Sequence, residues 1–465
     1  MECGRIMTEM NALAEEQAGP KTAKDRFLAE LDQLDGVQLP PWFREVRQNG
    51  AARVREYDFP HHKEEDWRFT SIKPILRTPF TVAKALEPIP AADPALEQRR
   101  FPEEAAAELV FVNGYFAPEL SKRGALPEGV TVTPFRQADS QYEGVVEAHL
   151  DKHVTARSNM FTALNSAFFE DGAFVHVEDG VKLEQPLHLI YLSAPGEKPL
   201  AAFGRTLVVA GANSELRVAE SHFPVAGASV PYLNNAITEM VLGEGAVMHH
   251  YKVTEEASEA FHMAGVRVYQ EQESAFHSHN ITLSGRIVRH DLSAELQGEE
   301  ADCQLNGLYL TDNEQLVDNY TSIDHAKAHC TSWIGYKGVL DGRSRGVFTG
   351  HVMVRPDSQK TDSNQLNSNM LLSENATIDT KPQLEIFADD VKCTHGSTTG
   401  GPHERVIFYF RTRGMTEAMA RGMLTYGFAS EVVGQIDIEP LRHRLDRWVF
   451  DRYSPEKHTS LPEKE

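Results

Sequence analysis

The chain has 465 residues, with 46 Lys or Arg against 68 Asp or Glu and a formal net charge of -22. That charge repels phosphate backbones and anionic lipid surfaces, which argues against nucleic-acid and membrane partners. The longest apolar stretches, such as TLVVAGA at 206–212, are far shorter than the roughly 18 residues of a membrane-spanning helix.

The N-terminus carries no apolar run of signal-peptide type and is too acidic for a transit peptide, so the expected location is the cytoplasm. Cys3, Cys303, Cys330 and Cys393 form no CxxC pair and no zinc spacing. In a reducing compartment they are thiols, not a disulfide framework. Neither G-x-x-x-x-G-K-[ST] nor G-x-G-x-x-G after a strand occurs, so the chain has no nucleotide-phosphate loop of its own.

Residues 22–35 place Phe27, Leu31 and Leu34 at helical spacing, and PPWFREVRQNG starts a second helix with Pro41 in its first turn. The prolines and alanines of 85–102 read as a linker or an extended excursion. ELVFVNGYF at 108–116 then reads as a strand that enters a turn at Asn113-Gly114.

From about residue 173 short β-type runs alternate with polar residues between Gly, Asn, Asp and Ser turns. A weak repeat marks Glu215, Ala246, Ala275, Asp302, Gly346 and Ala376, with steps of 31, 29, 27, 44 and 30. The near-constant step suggests the stacked coils of a β-solenoid with one insertion. A sandwich or jelly roll is the competing reading, which more hairpin dipeptides than Asn113-Gly114, Asp171-Gly172, Asp179-Gly180, Asn306-Gly307 and Asp341-Gly342 would have favoured.

The C-terminal part offers Thr416 as an N-cap, with Met419, Met423, Phe428 and Val432 assigned to one helix face. Leu441, Leu445 and Trp448 mark a second amphipathic helix. The pair is expected either to cap the solenoid or to dock another subunit.

In KPQLEIFADDVKCTHGSTTG, 381–400, side chains two apart on a strand share a face, so Val391, Cys393 and His395 project together. Cys and His suit iron or zinc, but two ligands are fewer than a closed site needs, so any further ligands must come from elsewhere, including a second chain. The same spacing also fits a small buried Cys393 and a hydrogen-bonded strand-end His395. Asp389 and Asp390 fall on opposite strand faces and read as a turn between coils. His325 and His329 with Cys330 have an HxxxH metal spacing in β surroundings, and Asn364, Asn367 and Asn369 read as coil-turn residues.

The stretch 336–400, from YKGVLDGRSRGVF through KCTHGSTTG, resembles the SufB/SufD family of iron–sulfur cluster assembly proteins. The resemblance continues through VIFYFRTRGMTEAMARGMLTYGFASEVV at 406–433, with echoes at HKEEDWRFTSI (62–72) and LVFVNGYF (109–116). Phe410 stands where the SufB branch carries a cysteine, which places the chain on the SufD side.

The resemblance implies a mainly β protein: a helical N-terminal region with its linker (1–110), a right-handed parallel β-helix core (111–405) and a C-terminal helical region (406–465). It also implies pairing with a SufB-like paralogue, docking of SufC, an ATPase of the ABC type, and a homodimer when those partners are absent. A transient iron–sulfur cluster would form at the SufB interface, with His395 as a participant and Cys393 beside it. SufC contact is expected at Met419, Met423 and Phe428. A flavin is linked to such assembly, yet no flavin fingerprint is present. The chain itself would be a non-enzymatic subunit. Two other readings remain at this point: a secreted β-helix carbohydrate enzyme using ADDVKCTHG, and a solenoid that only holds partners.

Overall fold

The computed structural model describes residues 22–33, 40–85, 93–101, 104–154 and 159–453. Its frame is a parallel β-solenoid. Two stacked sheets of ten and eleven strands are built from strands that alternate between them along the chain. Leu200–Ala210, Tyr232–Leu242, Phe261–Gln270, Ile287–Leu296, Leu316–His325, Arg345–Val354 and Thr377–Ile386 pair successively in the first. Glu215–Pro224, Val247–Glu255, Ala275–Ser284, Asp302–Thr311, Thr331–Leu340, Asp362–Leu371 and Lys392–Gly400 do so in the second.

Parallel pairing between non-consecutive strands excludes the sandwich. It also corrects the repeat. Glu215, Ala246, Ala275 and Asp302 open strands of the eleven-stranded sheet, whereas Gly346 and Ala376 open strands of the ten-stranded one. The long step is therefore one and a half regular coils, with no insertion.

Six successive coils turn into the eleven-stranded sheet through a left-handed residue: Asn213 (φ 57), Gly245 (65), Glu273 (55), Glu300 (59), His329 (62) and Lys360 (63). Their N–H groups donate to the carbonyls of Glu244, Gln272, Glu299, Ala328, Gln359 and Asp390 in the next coil, at 2.7–3.3 Å. The corners thus stack by backbone hydrogen bonds, which satisfies groups that a buried turn would otherwise orphan.

Side chains alternate in and out as the strand period demands. Leu216, Met248, Phe276 and Cys303 form one inward column. Asn306-Gly307 lies within a strand, not at a hairpin. The Tyr336 ring occupies the space a side chain at 307 would need, since a Cβ there would meet it at 2.2 Å. At Asn113-Gly114 the expected turn does form, joining strands Ala107–Val112 and Tyr115–Phe116 with positive φ at both residues.

The outer faces are covered by helices. Thr22 and Asp25 form a capping box that starts helix Ala23–Leu31, and Pro41 is the first residue of helix Pro41–Glu56. Leu34 lies outside the described residues, as does most of the linker's proline run. With helix Met160–Phe168 these helices bury Phe27, Phe43, Phe161 and Phe168 against Phe203, Leu233 and Phe261 of the ten-stranded sheet.

At the other end, helices Glu404–Thr412, Glu417–Val433 and Glu439–Tyr453 close the described chain. Ala429, Val432, Leu441 and Leu445 pack on Tyr251, Ile281, Leu308 and Val339, the outer face of the eleven-stranded sheet. They lie along the side of the solenoid, so they do not cap it. No helix among the described residues is long and apolar enough to cross a membrane.

Candidate functional site at the open end of the solenoid

Strands Thr377–Ile386 and Lys392–Gly400 form the last coil, and each has a partner on one side only. Their residues are half-buried or exposed, whereas the coils before them are mostly buried. Ile386 and Phe387, at the corner, expose 39% and 60% of their surface.

Cys393 and His395 share the inward face of the last strand. Cys393 continues a column of Cys303, Ser332 and Ser363, in which Ser332 Oγ donates to Ser363 Oγ at 2.8 Å. It is half-buried against the core, and burial, with Asp362 nearby, pushes its thiol pKa upward. A thiol so shifted is protonated at neutral pH and is a weak ligand until a cation or partner changes its surroundings.

His395 tops the column Leu305, Ile334, Gln365 and is exposed, because no coil follows. Beneath it the Gln365 amide is buried, and neither its nitrogen nor its oxygen has a hydrogen-bond partner among the described residues. Gln365 reaches across the lumen to Gly350, where a Cβ would lie 1.9 Å from its Nε2. Ser397 Oγ meets Thr380 Oγ1 of the opposite sheet at 3.3 Å. The end of the solenoid is thus a polar floor with an imidazole and a thiol on one wall.

Asp390 is tied into the corner. Its N–H donates to Gln359 Oε1 at 2.9 Å, its carboxylate pairs with Lys360, and its carbonyl accepts from the Lys360 N–H. This is turn chemistry, not an acid and base pair. The HxxxH spacing does not make a site either: His325 is buried on a strand with Nε2 2.9 Å from Ser332 Oγ, while His329 occupies a corner.

The asparagines stand within a strand, not at turns. Asn367 and Asn369 point inward, with Asn367 Nδ2 donating to Tyr336 O at 3.3 Å and Asn369 Nδ2 to Asn367 Oδ1 at 2.6 Å. Tyr309 donates to Asn369 Oδ1.

Met419, Met423 and Phe428 do not share a face. Nine positions along a helix rotate a side chain by about half a turn, at 3.6 residues per turn. Met419 and Met423 are accordingly exposed, 36% and 47%. Phe428 turns toward the solenoid, with Lys337 Nζ 4.5 Å from its ring centroid. The outward methionines are accompanied by Phe408 and Tyr409, 68% and 55% exposed, on helix Glu404–Thr412.

Sequence reasoning passed over Gln365, Phe387, Phe408 and Tyr409. The signal for Gln365 was its place in the alternation of DSNQLNSNM, two residues before Asn367 and two after Ser363, which puts it on the inward face.

The family model for the SUF system FeS cluster assembly SufBD core domain matches residues 192–428, and that for the SufBD protein N-terminal region matches 28–189. This chain belongs to the SufB/SufD family of iron–sulfur cluster assembly proteins. Among similar proteins, a SufBD family protein of Synechocystis is 31% identical over 87% of this chain and 90% of its own length. The iron–sulfur cluster assembly protein SufD of Escherichia coli is 29% identical over 89% and 93%. A SufBD family protein of Mycobacterium tuberculosis is 26% identical over 84% and 89%. Within the family the chain is SufD-like, and it serves the SUF system as an assembly component.

Proposed function

We propose that this SufD-like chain is a non-enzymatic, cytoplasmic subunit that joins a SufB-like paralogue through its last coil, binds a SufC-type ATPase through its C-terminal helices, and lends His395 to a nascent iron–sulfur cluster. The observation that carries the reading is the uncapped coil. Among the described residues, two unpaired parallel strand edges, exposed Ile386 and Phe387, and an imidazole over an unpartnered buried amide lie together at one end. Free strand edges are templates for pairing, and soluble proteins normally blunt or cover them.

His395 and Cys393 supply too few donors for a closed cage, so the second subunit would complete the coordination. An incomplete cage suits a cluster that is cargo, to be built and then released, because a full set of thiolates would retain it. The cluster's sulfur and electrons come from outside this chain. ATP-driven movement would enter through SufC at Met419, Met423 and the neighbouring Phe408 and Tyr409.

Co-expression of this chain with a SufB-like and a SufC-like partner tests the reading. A three-component complex that accumulates iron and sulfide supports it, and SufB–SufC association that leaves this chain behind refutes it.

A further inference from the structure

Four to six coils before the open end, the lumen holds a second cluster of donors. Glu220 and His222 come from Glu215–Pro224, Lys252 from Val247–Glu255 with Glu256 just after it, and His262 from Phe261–Gln270; all five are buried. One donor atom each of His222, Glu256 and His262 lies within 4.8 Å of the other two. Tyr232 OH donates to Glu256 Oε2 at 2.6 Å and Asn234 Nδ2 to Oε1 at 3.0 Å, which fixes the carboxylate. His262 Nδ1 stands 2.9 Å from Oε1.

Two imidazole nitrogens in and beside this cluster are open to a ligand. His262 Nε2 and, on the ring beside it, His290 Nδ1 are buried with no hydrogen-bond partner among the described residues; the two ring centroids are 5.3 Å apart. Native interiors seldom leave such nitrogens orphaned.

We propose that His222, Glu256 and His262 form an internal site for a divalent transition-metal cation of the zinc or iron class. Two imidazoles and one carboxylate are donors those ions accept, and they leave coordination positions open. Lys252 Nζ, 2.8 Å from both Glu220 Oε2 and His222 Nε2, occupies that nitrogen and assigns Nδ1 as the ligand atom of His222. Coordination at Nδ1 releases to solvent the one proton that this nitrogen carries while Nε2 accepts from Lys252. The site is separate from the cargo position at His395 and acts by bracing the early coils.

The test is metal content of the full chain made in minimal medium supplemented with zinc or with cobalt, then dialysed against a chelator. The expected result is about one equivalent of metal, with visible cobalt bands of nitrogen and oxygen ligation, in the unsubstituted chain and equally in His395→Ala. His222→Gln and His262→Gln should each fall below about a tenth of an equivalent. Less than that in the folded unsubstituted chain from both media overturns the proposal, whatever the variants do. So does a full equivalent in both variants, or loss of the metal in His395→Ala.

Discussion

Gln365 lies directly beneath His395 in the register of the last two strands of the eleven-stranded sheet, with both polar ends of its buried amide unpartnered among the described residues. An unsatisfied buried amide costs about 1–3 kcal/mol. A ligand or partner group at the open end can remove that cost, so Gln365 biases the site toward occupancy. Gln365→Leu is expected to leave the free chain as stable or more so, and to lower cluster yield on the assembled complex. Urea unfolding of the free chain and iron content of the complex check the two halves separately.

The exposed corner is the second test of partner pairing. Phe387→Glu should leave the melting temperature of the free chain unchanged, because its side chain is largely in solvent. Removing an aromatic anchor from an interface centre typically costs about 2 kcal/mol or more, a loss of roughly thirtyfold or more in affinity. Calorimetric titration with the SufB-like subunit reads this, and unchanged affinity would remove Phe387 from the interface.

The split of the C-terminal face predicts opposite phenotypes on one helix. Met423→Asp should weaken SufC binding without altering stability, whereas Phe428→Ala should destabilise the chain by about 2 kcal/mol through lost packing. Pull-down and thermal melts on both variants distinguish them. Equal loss of SufC binding with equal loss of stability would put both residues in one structural role.

How much of this was visible in the sequence depends on which physical rule governed each residue. Period-two alternation placed Cys393 and His395 together, and the left-handed preference of Asn-Gly placed the turn at 113–114; both are local rules and both hold. The inward lumen is set by stacking between coils some thirty residues apart, as when Tyr336 fills the space above Gly307. Local spacing carries no trace of that, which is why Asn306-Gly307 read as a turn and Asn367 as a corner residue. The helix face at Met419 and Phe428 failed for a simpler reason: nine residues is half a turn out of phase. The lateral packing of the C-terminal helices, which leaves the last coil bare, is a tertiary choice that amphipathicity alone does not specify.

Acid should destabilise the solenoid well above the carboxylate range. Burial pushes His325 and His279 down to about 4. Both imidazoles stay neutral in the fold while the unfolded chain takes up protons near pH 6.5. Their stabilising contribution is therefore complete above about pH 6.5 and is lost progressively as pH falls toward 4. Urea midpoints should drop between pH 7 and pH 5, and His325→Gln should flatten that slope. A midpoint that is constant across this interval would contradict it.

The most direct measurement is cluster formation on the complex carrying His395→Ala. The substitution is exposed, so the three components should still co-purify. Iron and acid-labile sulfide, with the accompanying visible absorption, should then fall sharply compared with the unsubstituted complex, while Cys393→Ala should have a smaller effect. An intact His395→Ala complex with a normal iron and sulfide yield would contradict the assignment of the open end as the place where the cluster is built.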